Sequence, residues 1–355
     1  MLGRLAAAWL VLAAAGAARA ADTRGNDGAL PAYAKDVAPK SDAVVRLRLA
    51  TIAPAGSGWA RVMRSLSEEV EADTGGRVNV KWYLNGVAGD EATMVSRLLR
   101  GQLDGAGLSI GCELLAPSLR VVRIPGLIRD RAELSYVLGR LQPRIERELA
   151  DRSMTALAVI GFGAVMAFTR TPVHRFEELM RMPMWVWDRD DVWIHLLRAG
   201  GLNLVPLPID QAARAYEDKR IDGFFSVPGS ALVFQWSTLT RAYVDLPLGF
   251  LPACLVTSQS AIDSLPLTEQ AALRTAAARF GQRFDAEGAR LDASLLGGLF
   301  EKQGLRRIAA DAAFRTRFFE TARMGREREA AGLIPQELLA KVLAWLADYR
   351  ATAGR

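Results

Sequence analysis

The residues of this 355-residue chain that could do chemistry are few: two histidines, two cysteines, a GxG and a pair of tryptophans set two apart. His174 and His195 fall in no HExxH and no Cys-His spacing, so a zinc site is not expected. Gly161-Phe162-Gly163 opens a dinucleotide-like pattern, but Met166 stands where its third glycine should be, which removes that reading. There is no GxSxG elbow and no Ser-His-acid set to supply a nucleophile. The expectation is a protein that is not an enzyme and uses no cofactor. What remains is Trp185 and Trp187 in the strand-like run MWVW, whose side chains share one face at period two. Two indoles side by side are either core or the wall of a pocket. For Trp187, at the strand end, both readings stand.

The N-terminus sets the compartment. MLGRLAAAWLVLAAAGAARA carries a basic residue at Arg4, an apolar run from Leu5 to Ala15 and a small-x-small site at Ala18-Arg19-Ala20. That is the pattern of a secretory signal peptide over 1–20, with cleavage after Ala20 and delivery to the periplasm. No later stretch reaches about eighteen apolar residues, the length of a membrane span. Losing Arg4 and Arg19 takes the formal charge from +6 to +4. The remaining basic residues are interspersed with acidic ones, and no aromatic-plus-basic motif suggests nucleic acid. Cys112 and Cys254 either pair in an oxidising compartment or stay as two buried thiols.

Periodicity orders the rest. After a leader without periodicity (21–43), strands are expected at Val44–Ala50 and Arg77–Leu84 and near Ile110, with helices between them, the first from Ser57 to Ala72. This is the order that builds a parallel sheet. A helix from Arg131 to Ala150 leads to two short strands ending at Arg170, a helical turn at Phe176–Met180 and MWVW. A second strand-helix series runs on to Phe225, too far along to share the first sheet comfortably. Leu267 to Gln303 reads as one long helix, with bends expected at Gly281, Gly288, Gly297 and Gly298. The pattern implies an α/β protein of two lobes braced by that helix.

Four ordered motifs carry a resemblance: LNGVAGDEATMVSRLLRGQLDGA, TPVHRFEELMRMPMWV, YEDKRIDGFFSVP and LVTSQSAIDSLPLTEQAALRTAA. From about Val45 to Tyr349 the chain resembles the periplasmic solute-binding subunits of TRAP transporters. The resemblance implies a two-lobed periplasmic binding protein fold, with crossing hinge strands and a long bent helix spanning both lobes. It divides the chain into 44–158 plus 250–303 and 159–249 plus 304–355. It also implies a ligand in the interlobe cleft and a membrane permease as partner. A competing partner is another periplasmic protein, with the chain trafficking or sensing a hydrophobic ligand.

The departures set the ligand expectation. Where the family places the arginine that pairs with a substrate carboxylate, this chain has Trp185, and Val165 stands at the position of a second arginine. Phe224, Phe225 and Ser226 replace polar contacts after the Asp-Gly motif. An unpaired carboxylate buried there would cost several kcal/mol, whereas apolar surface gains about 25 cal/mol per Å² removed from water. The expected ligand is a small apolar or amphipathic molecule, of sterol-like, isoprenoid or acyl type. Its expected contacts are Trp185, Trp187, Val165 and Phe224, with Ser226 and Asp188 as polar anchors. Phe224 and Phe225 alternate, so only one of them faces the cleft. Trp59 is either a lid residue or packing for its own helix.

Overall fold

The computed structural model describes residues 44–353. The expected signal peptide and leader (1–43) lie outside the described residues. Apolar alternation makes β1 (Val45–Ala50) a strand with Leu47 and Leu49 buried. Helix α1 (Gly58–Asp73) starts where the Ser57 side chain accepts from Ala60 N, and it buries Trp59, Met63, Leu66 and Val70 on one stripe. β2 (Val78–Tyr83) pairs parallel with β1. After α2 (Glu91–Leu99), β3 (Gly105–Leu108) pairs with the other edge of β1, again parallel. Short α3 (Cys112–Leu115) and a 3-10 segment (Pro117–Arg123) lead to α4 (Arg131–Ala150).

The two short strands expected next are one. β4 (Met154–Thr169) runs for 16 residues, a reach of about 50 Å at 3.3 Å per residue. Then come α5 (Phe176–Arg181), β5 (Met184–Trp187), α6 (Asp191–Ala199), β6 (Leu204–Leu207), α7 (Ala212–Glu217), β7 (Gly223–Ser226), α8 (Pro228–Val233), β8 (Ala242–Asp245), β9 (Gly249–Ser258) and α9 (Gln259–Asp263). β5 lies parallel between β6 and β7. β4 joins the two strand series: its first part pairs antiparallel with β9, itself bordered by β3, and its last four residues pair with β7. The strand order is therefore β2-β1-β3-β9-β4-β7-β5-β6. The second series shares a hydrogen-bonded sheet with the first because two long crossing strands carry the ladder between them.

The pairing of β4 with β9 shifts register at Ala156/Ala158 and again at Gly161/Gly163, opposite Pro252. A proline donates no ladder hydrogen bond and is accommodated at such irregularities. Each extra residue reverses the facing of the side chains that follow.

The long helix is α10 (Leu267–Ser294), followed by a π turn (Leu295–Leu299) and α11 (Phe300–Lys302). Of the four glycines expected to bend it, Gly298 does so, at φ 121°. Gly281 and Gly288 remain helical where α10 packs on β4, and a Cβ at either would make only ordinary contacts, with Ala158 at 3.4 Å and the Phe162 carbonyl at 3.6 Å. β10 (Arg306–Ala309) pairs with β8, and α12 (Ala312–Leu333) packs on α6. α13 (Gln336–Ala353) lies on α4, with Tyr349 4.7 Å from Tyr136 and Arg350 bonded to Glu133 at 2.6 Å. Cys112 and Cys254 form a disulfide, Cα to Cα 6.0 Å, which ties α3 to crossing strand β9.

Candidate functional site

The carboxyl ends of β1, β3, β5 and β7 open onto one cavity of about 140 Å³, the place where open α/β sheets hold ligands. Thr51 to Ala53 follow β1, Ser109 and Ile110 follow β3, Trp187 ends β5, and Ser226 and Val227 close β7. The crossing strand supplies Ala158, Ile160 and Phe162, and then Val165. That change from even to odd positions follows from the register shift at Gly161/Gly163. Trp59 of α1 and Phe284 of α10 complete one end, Trp59 lying 4.8 Å from Phe162 and 6.4 Å from Phe284 between ring centroids.

The other end holds a buried ion cluster. Arg123, at the end of the 3-10 segment, is 2% exposed and lines the cavity. Its Nη2 donates to Asp190, and its Nε lies 3.2 Å from Glu113 of α3. Its carbonyl accepts from Trp193 Nε1 at 2.9 Å. Asp190 also caps α6, its Oδ1 accepting from Trp193 N at 3.1 Å. Glu91 accepts from Ser109 N, Ser109 Oγ and Gly111 N, which fixes the loop after β3. Burial pushes the Glu113 carboxyl up to about 8, against the pull of Arg123 and with a further push from Asp190. Burial likewise raises Glu91, opposed by its hydrogen bonds. Burial disfavours charge on Arg123, but Asp190 and Glu113 more than offset this and hold the guanidinium above its ordinary value.

Five of the seven expected contacts line this cavity: Trp59, Val165, Trp185, Trp187 and Ser226. The Trp185 indole donates to Leu207 O at 3.0 Å and meets Trp236 edge-on at 5.0 Å, so its face, not its N–H, is the feature it offers. Ser226 Oγ donates to Val227 O at 3.1 Å and is already engaged. Phe224 is a correction. It stacks on Phe168 at 5.2 Å and meets Trp236 at 5.5 Å, behind the cavity wall on the same sheet face as Trp185, while its neighbour Phe225 lines the cavity. Strand alternation sets the two on opposite faces of the sheet, and on Phe224's face Trp185 and Trp236 stand between it and the cavity. Asp188 is a second correction: it faces a separate, adjacent cavity of about 180 Å³, beside Arg189.

Sequence reasoning passed over Arg123, Asp190, Trp193 and Trp236. The signal for Arg123 was a lone cation in the apolar run Val121-Val122-Arg123-Ile124. Trp236 had none, because it enters from an irregular segment after α8.

A model of the bacterial extracellular solute-binding protein family 7 matches residues 49–325. A solute-binding protein from Chromohalobacter salexigens is 24% identical over 226 residues, which span 61% of this chain and 65% of that relative. The chain thus spans just under two thirds of that protein's length. Among solved structures, the sugar acid binding protein of Advenella mimigardefordensis in complex with galactonate superposes with a TM-score of 0.79 at 17% identity, covering 86% of this chain and 99% of that one. A TRAP periplasmic solute-binding protein from Haemophilus influenzae with bound L-gulonate gives 0.78 at 15% identity, with coverages of 86% and 99%. One from Xanthobacter autotrophicus with bound β-D-galacturonate gives 0.72 at 22%, covering 84% and 99%. At these identities the likeness establishes the two-lobed periplasmic binding protein fold. With the family match extending over most of its length, the chain belongs to family 7 of the bacterial extracellular solute-binding proteins, the TRAP periplasmic solute-binding proteins that its motifs resemble.

Proposed function

We propose that this protein captures a small, neutral, largely apolar or amphipathic molecule between its lobes in the periplasm and delivers it to a TRAP-type permease. One observation carries the ligand assignment: the single cation among the cavity's lining residues, Arg123, is already paired with the buried carboxylate of Asp190. A sugar acid of the kind bound by the structural relatives needs an uncommitted cation and free hydrogen-bonding groups. This cavity offers aromatic faces instead. Each 100 Å² of apolar ligand surface removed from water there contributes about 2.5 kcal/mol. The cavity's 140 Å³ is close to the roughly 150 Å³ of a dry cavity that takes up benzene. A single ring with short substituents fits the lobes as they stand, and a sterol or long acyl chain requires them to part.

The test is to purify the mature protein, identify co-purifying molecules by mass spectrometry and titrate a ligand panel by calorimetry. Tight binding of galacturonate or dicarboxylates, with no binding of apolar rings, defeats the reading. Trp185→Arg is expected to weaken an apolar ring by about 100-fold or more, because an uncompensated buried cation replaces an aromatic wall. Unchanged affinity would place that indole outside the site.

A further inference from the structure

We infer that Asp190 is the residue that sets the charge specificity of this cavity: it occupies Arg123 as a built-in carboxylate, and so turns an arginine-containing site into one that accepts neutral ligands and refuses acids. The inference deepens the proposed function and rests on it.

Two donors of Arg123 face acidic residues of the protein itself. Nη2 is taken by Asp190, and Nε faces Glu113 at 3.2 Å. Among the described residues Nη1 donates to no partner. A guanidinium buried to this degree beside a ligand cavity is what a carboxylate-binding site requires, since its planar fork matches a carboxylate edge. Here one edge of the fork already holds a carboxylate that belongs to the protein.

The surrounding groups give an acid no help. Glu113 from α3, Asp191 from α6 and Glu91 from α2 all lie near enough to act on the cluster, and the other cation beside it is Arg120, 3.9 Å from Glu113. The local balance is neutral to negative. An incoming carboxylate would meet repulsion with no net positive charge to offset its desolvation. A neutral acceptor, such as a carbonyl or nitro oxygen, meets only the donor. Asp190 is well placed for this role because it is doubly fixed: it caps α6 through Trp193 N, and Trp193 in turn donates from its indole to the Arg123 carbonyl. The internal carboxylate therefore cannot swing aside for a competitor without breaking a helix cap.

Benzoate and nitrobenzene share shape and differ in charge, so calorimetric titration of both against wild type and Asp190→Asn tests the inference. The asparagine keeps the volume and the capping oxygen and removes the charge. Wild type is expected to bind nitrobenzene at least about 100-fold more tightly than benzoate. In Asp190→Asn that ratio is expected to shift toward benzoate by at least tenfold, because the guanidinium then lacks its resident counter-ion. A folded variant with an unshifted ratio overturns the inference and leaves the apolar reading intact. A wild type that binds neither probe removes the reading beneath it, and the inference falls with it. If the variant does not fold alone, refolding with benzoate is expected to rescue it where equal nitrobenzene does not; failure of benzoate to rescue also overturns the inference.

Discussion

Replacing Arg123 with leucine is expected to destabilise the fold by about 3–5 kcal/mol, the usual cost of leaving a buried ion pair's partner uncompensated. The loss is large because Asp190 is buried and Arg123 is its partner, while Glu113, held at about 8, stays protonated at neutral pH. Urea unfolding of the single variant checks it. The triple variant Arg123→Leu, Glu113→Gln, Asp190→Asn is expected to recover part of the loss, since removing the charges together removes the unpaired ones. If the triple variant is as unstable as the single one, packing by the arginine stem, not its charge, is what matters.

The same cluster gives a pH dependence whose sign follows from burial. Glu113 has an ordinary value of 4.5 and is held at about 8 in the folded chain. Below pH 4.5 it is protonated in both states and costs nothing. Between the two values the unfolded chain releases the proton while the folded chain keeps it, so stability declines as pH rises, by up to about 1.4 kcal/mol per pH unit. Glu113→Gln is expected to flatten the decline between pH 5 and pH 8 in urea midpoints measured across that range. A wild type whose midpoint does not fall over that range would show that Glu113 is ionised in the fold.

Loss of the Cys112–Cys254 disulfide is the other large effect expected, about 2–5 kcal/mol. The bridge closes a loop with a sequence separation of 142, and closing so long a loop removes much of the unfolded chain's conformational freedom. Chemical reduction and the Cys112→Ala, Cys254→Ala variant are expected to give similar drops in unfolding midpoint. A reduced protein as stable as the oxidised one would mean that the packing of α3 on β9 suffices without the bond. The disulfide also matters to the site. Cys254 lines the cavity, and Glu113 follows Cys112 directly, so the bond holds one carboxylate of the Arg123 cluster against the crossing strand.

Much of the architecture could be read from periodicity. β1, β2 and MWVW follow from alternation, and α4 from its apolar stripe between Asp130 and Ala150. Local rules fix these because they concern neighbours three or four residues apart along a helix, or two apart along a strand. The single long β4 was not legible, because Gly161 and Gly163 look like a strand break until β9 is seen paired across them.

The amino-acid sequence by itself determined the family, the two strand series and the absence of arginine at positions 165 and 185, since each of these is written in residue types and their order. Only the tertiary structure decided which of Phe224 and Phe225 faces the cavity, that Cys112 meets Cys254, and that Arg123 and Asp190 form an ion pair. The physical reason is the same in each case. Facing depends on strand register, and pairing depends on groups that lie 142 residues apart for the cysteines and 67 apart for the ion pair, brought together by the crossing strands and by the packing of α6.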